Sequence, residues 1–392
     1  MSQARSVVIA SAMRTAVGTA RKGSLVNTPP EVLAAIAIRA AVERSGIAPE
    51  MIDDIVMAES LAGGGDIARH AAVQLGMMGA AGMAINRHCA GGLSAVGIAA
   101  GAILAGMERV MVAGGVNSSS FMPRMQQRNP VTQEFQDWFP PTHPDSPEAP
   151  NRDMSITVGW NAAKSLGLTR QEQDAWALRS HQRAIAAIDA GNFVNEIVPV
   201  MVKNAAGQDV EFKVDEFPRR ETTMEKLASL AVLHPEIEGF SITAGNASGG
   251  NDAAAALVIT TSDIAKSAGS DVLAKIHGWT ALGIEPAKTG LSVPAVVKKL
   301  LSRTGVTLKD IQLWEINEAF ASVPLGACRV MGLDENTVNI SGSGCSIGHP
   351  IGASGARMIT TLCNDLRRRG GGFGIAAMCA GGGQAGAILI EV

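Results

Sequence analysis

The sequence predicts an α/β protein of two duplicated βαβαβαββ halves, stacked as alternating helix and sheet layers, with an inserted loop domain. Three observations lead there. Short apolar strands alternate with helical patterns at both ends of the chain. The two ends can be laid over each other element by element. The stretch between them differs, with five prolines in PPTHPDSPEAP at 140–150. The expected organisation is an N-terminal half over 1–118, an inserted loop domain and return over 119–250, and a C-terminal half over 270–392.

In the first half, SVVIASAMR reads as a strand and PPEVLAAIAIRAAVERSG as a helix closed by Gly46. IDDIVMAES is a strand, DIARHAAVQLG a helix, and GMAINRH a strand entering Cys89. GGLSAVGIAAGAILAG follows as a helix of small residues, and RVMVAGGV as an apolar strand. Apolar strands joined by helices mean a largely parallel sheet covered on both faces.

The last stretch repeats the pattern. DVLAKIHGWTAL is a strand, VPAVVKKLLSRTG a helix, DIQLWEINE a strand and FASVPLGACRVMG a helix. NTVNISGSG is expected as a strand, GASGARMITTLCNDLRRRG as a helix, and GFGIAAMCA and QAGAILIEV as closing strands. The strand, reactive loop and helix around Cys89 correspond to those around His349, and VMVAGGV corresponds to IAAMCAGG. Two such loops would meet near a pseudo-twofold axis. In the middle, the prolines dictate extended, unpaired backbone. MSITVGWNAAKSLG and TRQEQDAWALRSHQRAIAAIDAG then read as helices, the second opened by Thr169. A long irregular insertion in a compact α/β chain is a candidate lid or binding element.

Composition narrows the function classes. The chain has 392 residues, 44 of them Gly, with aromatics at 4% and no Tyr, so its core must be aliphatic and packed closely around glycine turns. A net charge of −3 argues against a nucleic-acid surface. Arg219-Arg220 and Arg367 to Arg369 read as solvated faces or helix ends. The cysteines at 89, 328, 345, 363 and 379 fit no zinc spacing, so no metal is expected. Cys328 and Cys363 fall in apolar helical patterns as fillers, and Cys345 fits either a pocket wall or a packed turn. Free thiols, no leader and no uncharged stretch of membrane-spanning length point to a soluble, cytoplasmic protein without a membrane partner.

The chemistry lies in three glycine-rich motifs: NRHCAGGLSAV around Cys89, GHPIGASGAR around His349 and MCAGGGQAGA around Cys379. A thiol at a helix start is a nucleophile favoured as thiolate by the dipole and free N–H groups. A histidine supplies the base. A second thiol in its own glycine turn suggests a separate proton carrier, so the set reads as acyl transfer coupled to proton movement at carbon. His88 neighbours the nucleophile but is expected to point away from it.

These motifs, with NEAFA at 317–321, GNASGGND at 245–252, the opening VVIASAMRTAVG and the ending GAILIEV, resemble the thiolase family along essentially the whole chain. The resemblance implies the thiolase fold, with a loop domain covering the active site and holding coenzyme A. It implies Cys89 as acyl-carrying nucleophile, His349 as its base and Cys379 as the acid-base group at the methyl carbon. Asn317 would hold a water in one oxyanion hole, and the N–H of Gly381 would join that of Cys89 in a second. Ser248, Arg219, Phe320 and Met154 match coenzyme A contacts, although Met154 is equally readable as core filler and Glu318 as second partner or helix-start charge. Coenzyme A enters as co-substrate, with no tightly bound cofactor, and the family is homo-oligomeric, as a dimer or dimer of dimers.

The activity implied is thiolytic cleavage of a 3-ketoacyl-CoA, as in fatty-acid β-oxidation, and its reverse Claisen condensation. The alternatives are an acetyltransferase making acetoacetyl-CoA, a ketoacyl synthase, which lacks a cysteine at the place of Cys379, and a non-catalytic lipid- or CoA-binding relative. The chain reads Asp153-Met154-Ser155 where acetoacetyl-forming members carry His-Met-Gly, and Ala287 to Gly290 where they carry a Met-Gly pair. It also reads CAGG after the strand where CGSG is commoner. These departures argue against a strict two-carbon pocket and favour a medium-length, branched or cyclic acyl group.

Overall fold

The computed structural model describes residues 6–62 and 64–392. The N-terminal half runs strand Val7–Thr15, helix Pro30–Ser45, strand Asp54–Ala58, helix Ile67–Gln74, strand Ala81–Ile85, helix Gly91–Ala105 and strand Val110–Ser118. The C-terminal half runs strand Ala274–Gly283, helix Ser292–Thr304, strand Ile311–Ile316, helix Ser322–Met331, helix Ile351–Arg368 and strands Phe373–Ala380 and Gln384–Glu391. Gly46 closes its helix at φ 70°, where only the lack of a Cβ makes the turn free of strain.

A further strand, Asn251–Thr261, was not anticipated from the sequence. It pairs antiparallel with both Val7–Thr15 and Val110–Ser118 and so sits inside the sheet of the first half. Its run of alanines carries no alternation, because both of its faces are buried.

The sheet order is symmetrical about a seam except for one extra edge strand in the first half, Ala81–Ile85. On one side lie Val7–Thr15, Asn251–Thr261, Val110–Ser118, Asp54–Ala58 and Ala81–Ile85; on the other Ala274–Gly283, Gln384–Glu391, Phe373–Ala380 and Ile311–Ile316. Among the described residues, only the pairs Val8↔Lys275 and Ile9↔Ala274 join the sides. Three apolar clusters define the layers. Helices Pro30–Ser45 and Ile67–Gln74 pack on one face of the first half. Helices Gly91–Ala105 and Ile351–Arg368 share a cluster with strands of both halves. Helices Ser292–Thr304 and Ser322–Met331 cover the outer face of the second. The two central helices touch through glycines: a Cβ on Gly92 would lie 2.7 Å from the Ala356 nitrogen.

Three expectations are corrected. The sheet is mixed and not largely parallel: along its main order only Asp54–Ala58 with Ala81–Ile85 and Val110–Ser118, and Ile311–Ile316 with Phe373–Ala380, run parallel, because each half closes with antiparallel partners. NTVNISGSG makes no strand; it forms a single parallel bridge, Trp314↔Val338. Asn339 turns to φ 51°, and its side chain bonds the N–H and C=O of Ile316, both at 2.8 Å, replacing the ladder. Likewise, His88–Ala105 is apolar and long enough to cross a membrane by length and composition. It is the central core helix, and its hydrophobicity answers to burial between the two sheet halves.

The insertion carries more sheet than expected: hairpins Met125–Arg128 with Phe135–Trp138, and Val200–Lys203 with Asp209–Phe212. Residues 140–150 contain only the bridge Ser146↔Ala149. The first expected helix begins as a π turn, Ser155–Trp160, and continues as Asn161–Leu166. The second is Arg170–Asp189, opened by a Thr169/Glu172 capping box.

Candidate active site

The reactive loops of the two halves meet at a cavity of about 180 Å³ lined by Cys89, His349, Cys379, Ala380 and Gly381. Met154, Val158, Ser248, Gly249, Ala319, Phe320 and Ile351 complete most of its wall. Of the site residues expected from sequence, seven line this one cavity. Asn317 lies one layer behind it, and Arg219 lies outside.

Cys89 sits in a short 3-10 turn, His88–Ala90, and the helix proper starts at Gly91. The thiol is therefore two residues short of the helix start, and burial pushes its pKa up to about 11. This corrects the expected resting thiolate: desolvation of the charged form outweighs the favourable N–H groups. Two donors nonetheless face the sulfur, the backbone N–H groups of Gly381 and of Cys89 itself. His88 takes φ 45°, donates its N–H to Asn86 Oδ1 at 2.8 Å and accepts from the Ser60 hydroxyl at 3.0 Å.

His349 precedes helix Ile351–Arg368 in a loop held from outside. Its N–H bonds Asn251 Oδ1 at 2.9 Å, and Asn251 in turn donates to the Gly18 carbonyl at 3.1 Å. Gly348 approaches so closely, at φ 110°, that a Cβ there would lie 2.6 Å from the Asn251 amide. His349 Nδ1 is 2.6 Å from Ser354 Oγ, whose proton is given to the Pro350 carbonyl at 2.9 Å. The hydroxyl can then only accept from the imidazole, so Nδ1 carries the hydrogen and Nε2 keeps its lone pair. Burial, aided by the nearby Arg357 charge, lowers the imidazole to about 3, leaving a neutral base.

Asn317 Nδ2 lies 3.4 Å from that Nε2. Its Oδ1 is buried with no protein partner among the described residues, an acceptor suited to a water beside the imidazole. Cys379 ends strand Phe373–Ala380 and is 2% exposed. Burial first, then the neighbouring Cys89, drives its thiol well above the ordinary range. The Pro-rich segment packs on the glycine turn after Cys379: a Cβ on Gly382 would meet the Thr142 carbonyl at 2.6 Å.

Ser248 is placed by its N–H to the Ala319 carbonyl at 2.9 Å, within the bridge Ala247↔Phe320. Met154 just precedes the π turn and Val158 lies on it one turn later, the kind of irregularity that often marks functional sites. Met154 thus serves the cavity wall while also packing on the core. Arg219 is exposed and rests 5.5 Å from the Phe217 ring centroid, and Phe217 packs on the cavity residue Gly249. Cys345 is packed away from the cavity, its Sγ directed at the carbonyls of Asn246 and Glu318.

Sequence reasoning left Glu318 between a second partner and a helix-start charge, and gave Ser354 and Asn251 no role. Glu318 accepts from Trp176 Nε1 at 2.9 Å, Ser180 Oγ at 2.6 Å, Asn339 Nδ2 at 2.8 Å and the Cys345 N–H at 3.1 Å. It ties the long insertion helix and two loops to the residue next to Asn317. Ser354, in GHPIGASGAR, carried a findable signal: a hydroxyl five residues after a catalytic-type histidine at a helix start. Asn251 falls within the GNASGGND motif, but its role depends on chain segments far apart.

The chain matches two family profiles, "Thiolase, N-terminal domain" over residues 7–263 and "Thiolase, C-terminal domain" over 270–392. It is 39% identical to an acetyl-CoA acetyltransferase of Cupriavidus necator, across 98% of this chain and 99% of the relative. The crystal structure of the Bacillus anthracis acetyl-CoA acetyltransferase superposes with a TM-score of 0.89 at 36% identity, covering 100% of both chains. Human mitochondrial 3-ketoacyl-CoA thiolase in complex with CoA superposes with a TM-score of 0.90 at 32% identity, covering 99% of this chain and 98% of that one. The chain belongs to the thiolase family of acyltransferases.

Proposed function

We propose that this protein cleaves a 3-ketoacyl-CoA with coenzyme A as co-substrate, through an acyl group carried on Cys89. The observation that carries the reading is the convergence on one sulfur of two backbone N–H donors, in a cavity shared with a neutral His349 and with Cys379. Cys89 Sγ attacks the 3-keto carbonyl while its proton passes to His349 Nε2. The Cα–Cβ bond breaks, its electron pair leaves on the acetyl-CoA enolate, and the Cys379 thiol protonates that carbon. Coenzyme A then attacks the acyl-cysteine and gives its thiol proton to the Cys379 thiolate. The departing Cys89 sulfur recovers the proton held by His349. In this deacylation the N–H groups of Cys89 and Gly381 receive the oxyanion. A water on Asn317 would serve the thioester oxygen of the enolate.

Mass spectrometry of enzyme quenched with substrate should find the acyl group on Cys89. Acyl elsewhere, or on no residue, would overturn the assignment.

For the acyl group the reading is a medium-length, branched or cyclic chain, supported by the departures at 153–155 and 287–290 and by the Thr142 segment bordering the glycine turn. Trp160 stacks on Phe240 at 5.3 Å, and Trp138 lines a separate surface depression, so neither contributes to the catalytic cavity wall. A second reading, condensation of two acetyl-CoA, is favoured by the names of the relatives. A kcat/KM series over 3-ketoacyl-CoAs decides: a peak at acetoacetyl-CoA with steep decline favours the second. We further propose a cytoplasmic homo-oligomer, a dimer or dimer of dimers, without nucleic-acid or membrane partners. The exposed hairpin residues Val131 and Phe135 and the sheet-edge Met83 are suited to cover by a second copy. Light scattering showing a monomer at micromolar concentration would refute the assembly.

A further inference from the structure

Asp153 opens the turn on which two walls of the cavity stand. Its Oδ1 accepts from the Ser155 N–H at 3.0 Å and hydroxyl at 2.6 Å, and its Oδ2 is 2.7 Å from His234 Nε2. The other imidazole nitrogen of His234 faces Glu236 Oε1, also at 2.7 Å. The ring packs edge-on to Phe240, which stacks on Trp160 at the end of the same turn. Met154 and Val158 of this turn line the cavity. An imidazole has one N–H when neutral and two when charged, and here both nitrogens meet carboxylate oxygens. Only the imidazolium satisfies both.

We propose that His234 is a positioning residue for coenzyme A: clamped as a cation between Asp153 and Glu236, it holds the Met154–Val158 turn against the bound coenzyme. This rests on the thiolase reading above. Loss of the charge loosens the wall without touching Cys89, His349 or Cys379, so it acts on binding and leaves the chemical step alone. The charges that face the ring are Asp153, on the turn, and Glu236, on its own segment; both favour the cation. The Glu236 hydrogen bond first, then Asp153, raise His234 above its ordinary value of 6.5. The clamp is therefore fully present below that value and is lost as pH rises through the raised one.

The test is titration calorimetry with desulfo-coenzyme A, which binds without reacting, between pH 6 and 9, alongside steady-state kinetics. Relative to H234R, whose guanidinium stays charged and can span both carboxylates, wild type should weaken about two- to five-fold across this range, the scale of partly exposed ion pairs. H234Q should bind weakly at every pH, with KM raised and kcat within about two-fold of wild type. D153N should weaken binding at pH 6.5 in the same way, should H234Q fold poorly. Identical pH dependence in wild type and H234Q, wild-type affinity in D153N at pH 6.5, or kcat falling with affinity would overturn the clamp. A wild-type enzyme that turns over 3-ketoacyl-CoA while these variants bind normally overturns the clamp alone. Absence of both turnover and desulfo-coenzyme A binding in wild type overturns the thiolase reading and the clamp with it.

Discussion

Ser354 Oγ accepts the Nδ1 hydrogen of His349 at 2.6 Å while committing its own proton to the Pro350 carbonyl, so one hydroxyl sets which imidazole nitrogen keeps its lone pair. Replacing it with alanine leaves Nδ1 without a partner and frees the tautomer. S354A should lower kcat/KM about ten-fold, the scale of one lost hydrogen bond, and alter the pH profile. Steady-state kinetics from pH 5 to 10 checks this; an unchanged profile would show that the tautomer is held by other means.

The two thiols should separate by function. C89A should abolish acyl transfer, a loss of at least about 10³-fold in kcat. C379S should still acylate Cys89 from a simple acyl-CoA, yet cleave 3-ketoacyl-CoA poorly. Intact-mass analysis beside a turnover assay distinguishes them, and a C379S enzyme of normal thiolysis rate would remove Cys379 from the proton path.

The Cys89 thiol, pushed up to about 11, is neutral at neutral pH. Below that value the thiol form dominates and above it the thiolate, so alkylation of Cys89 by iodoacetamide should keep accelerating past pH 9. A plateau near pH 7 would mean that substrate-free enzyme already holds the thiolate.

Glu318 is 1% exposed and accepts four hydrogen bonds. E318A would strand those donors in the interior, at a cost of about 3 kcal/mol or more. Chemical denaturation should show a clearly lower midpoint, with activity reduced because Asn317 is the adjoining residue. An unchanged midpoint would mean that water replaces the carboxylate.

By itself the sequence determined the strand–helix alternation, the symmetry of the halves and the position of the glycine-rich loops that line the cavity. These are local or periodic properties: apolar runs between glycine turns, a proline cluster that excludes regular structure, a Thr-x-x-Glu box at Thr169. Cys89, His349 and Cys379 could be singled out because thiols and imidazoles in glycine loops leave a short motif, whereas Gly381 was reached only through the resemblance.

Other features were decided only by the tertiary structure. Strand Asn251–Thr261 is an alanine-rich run whose partners are the distant strands Val7–Thr15 and Val110–Ser118. The expected strand at NTVNISGSG gave way to one bridge, because the Asn339 side chain takes the backbone groups of Ile316 that a ladder would have used. The Cys89 thiol is neutral because burial, a property of the whole fold, outweighs the local N–H groups. Asn251 and Glu318 bond partners far along the chain, and His234 meets Asp153 from a distant part of the insertion. No window of sequence contains such pairs, since only packing the insertion and both halves around one cavity brings them within hydrogen-bonding reach.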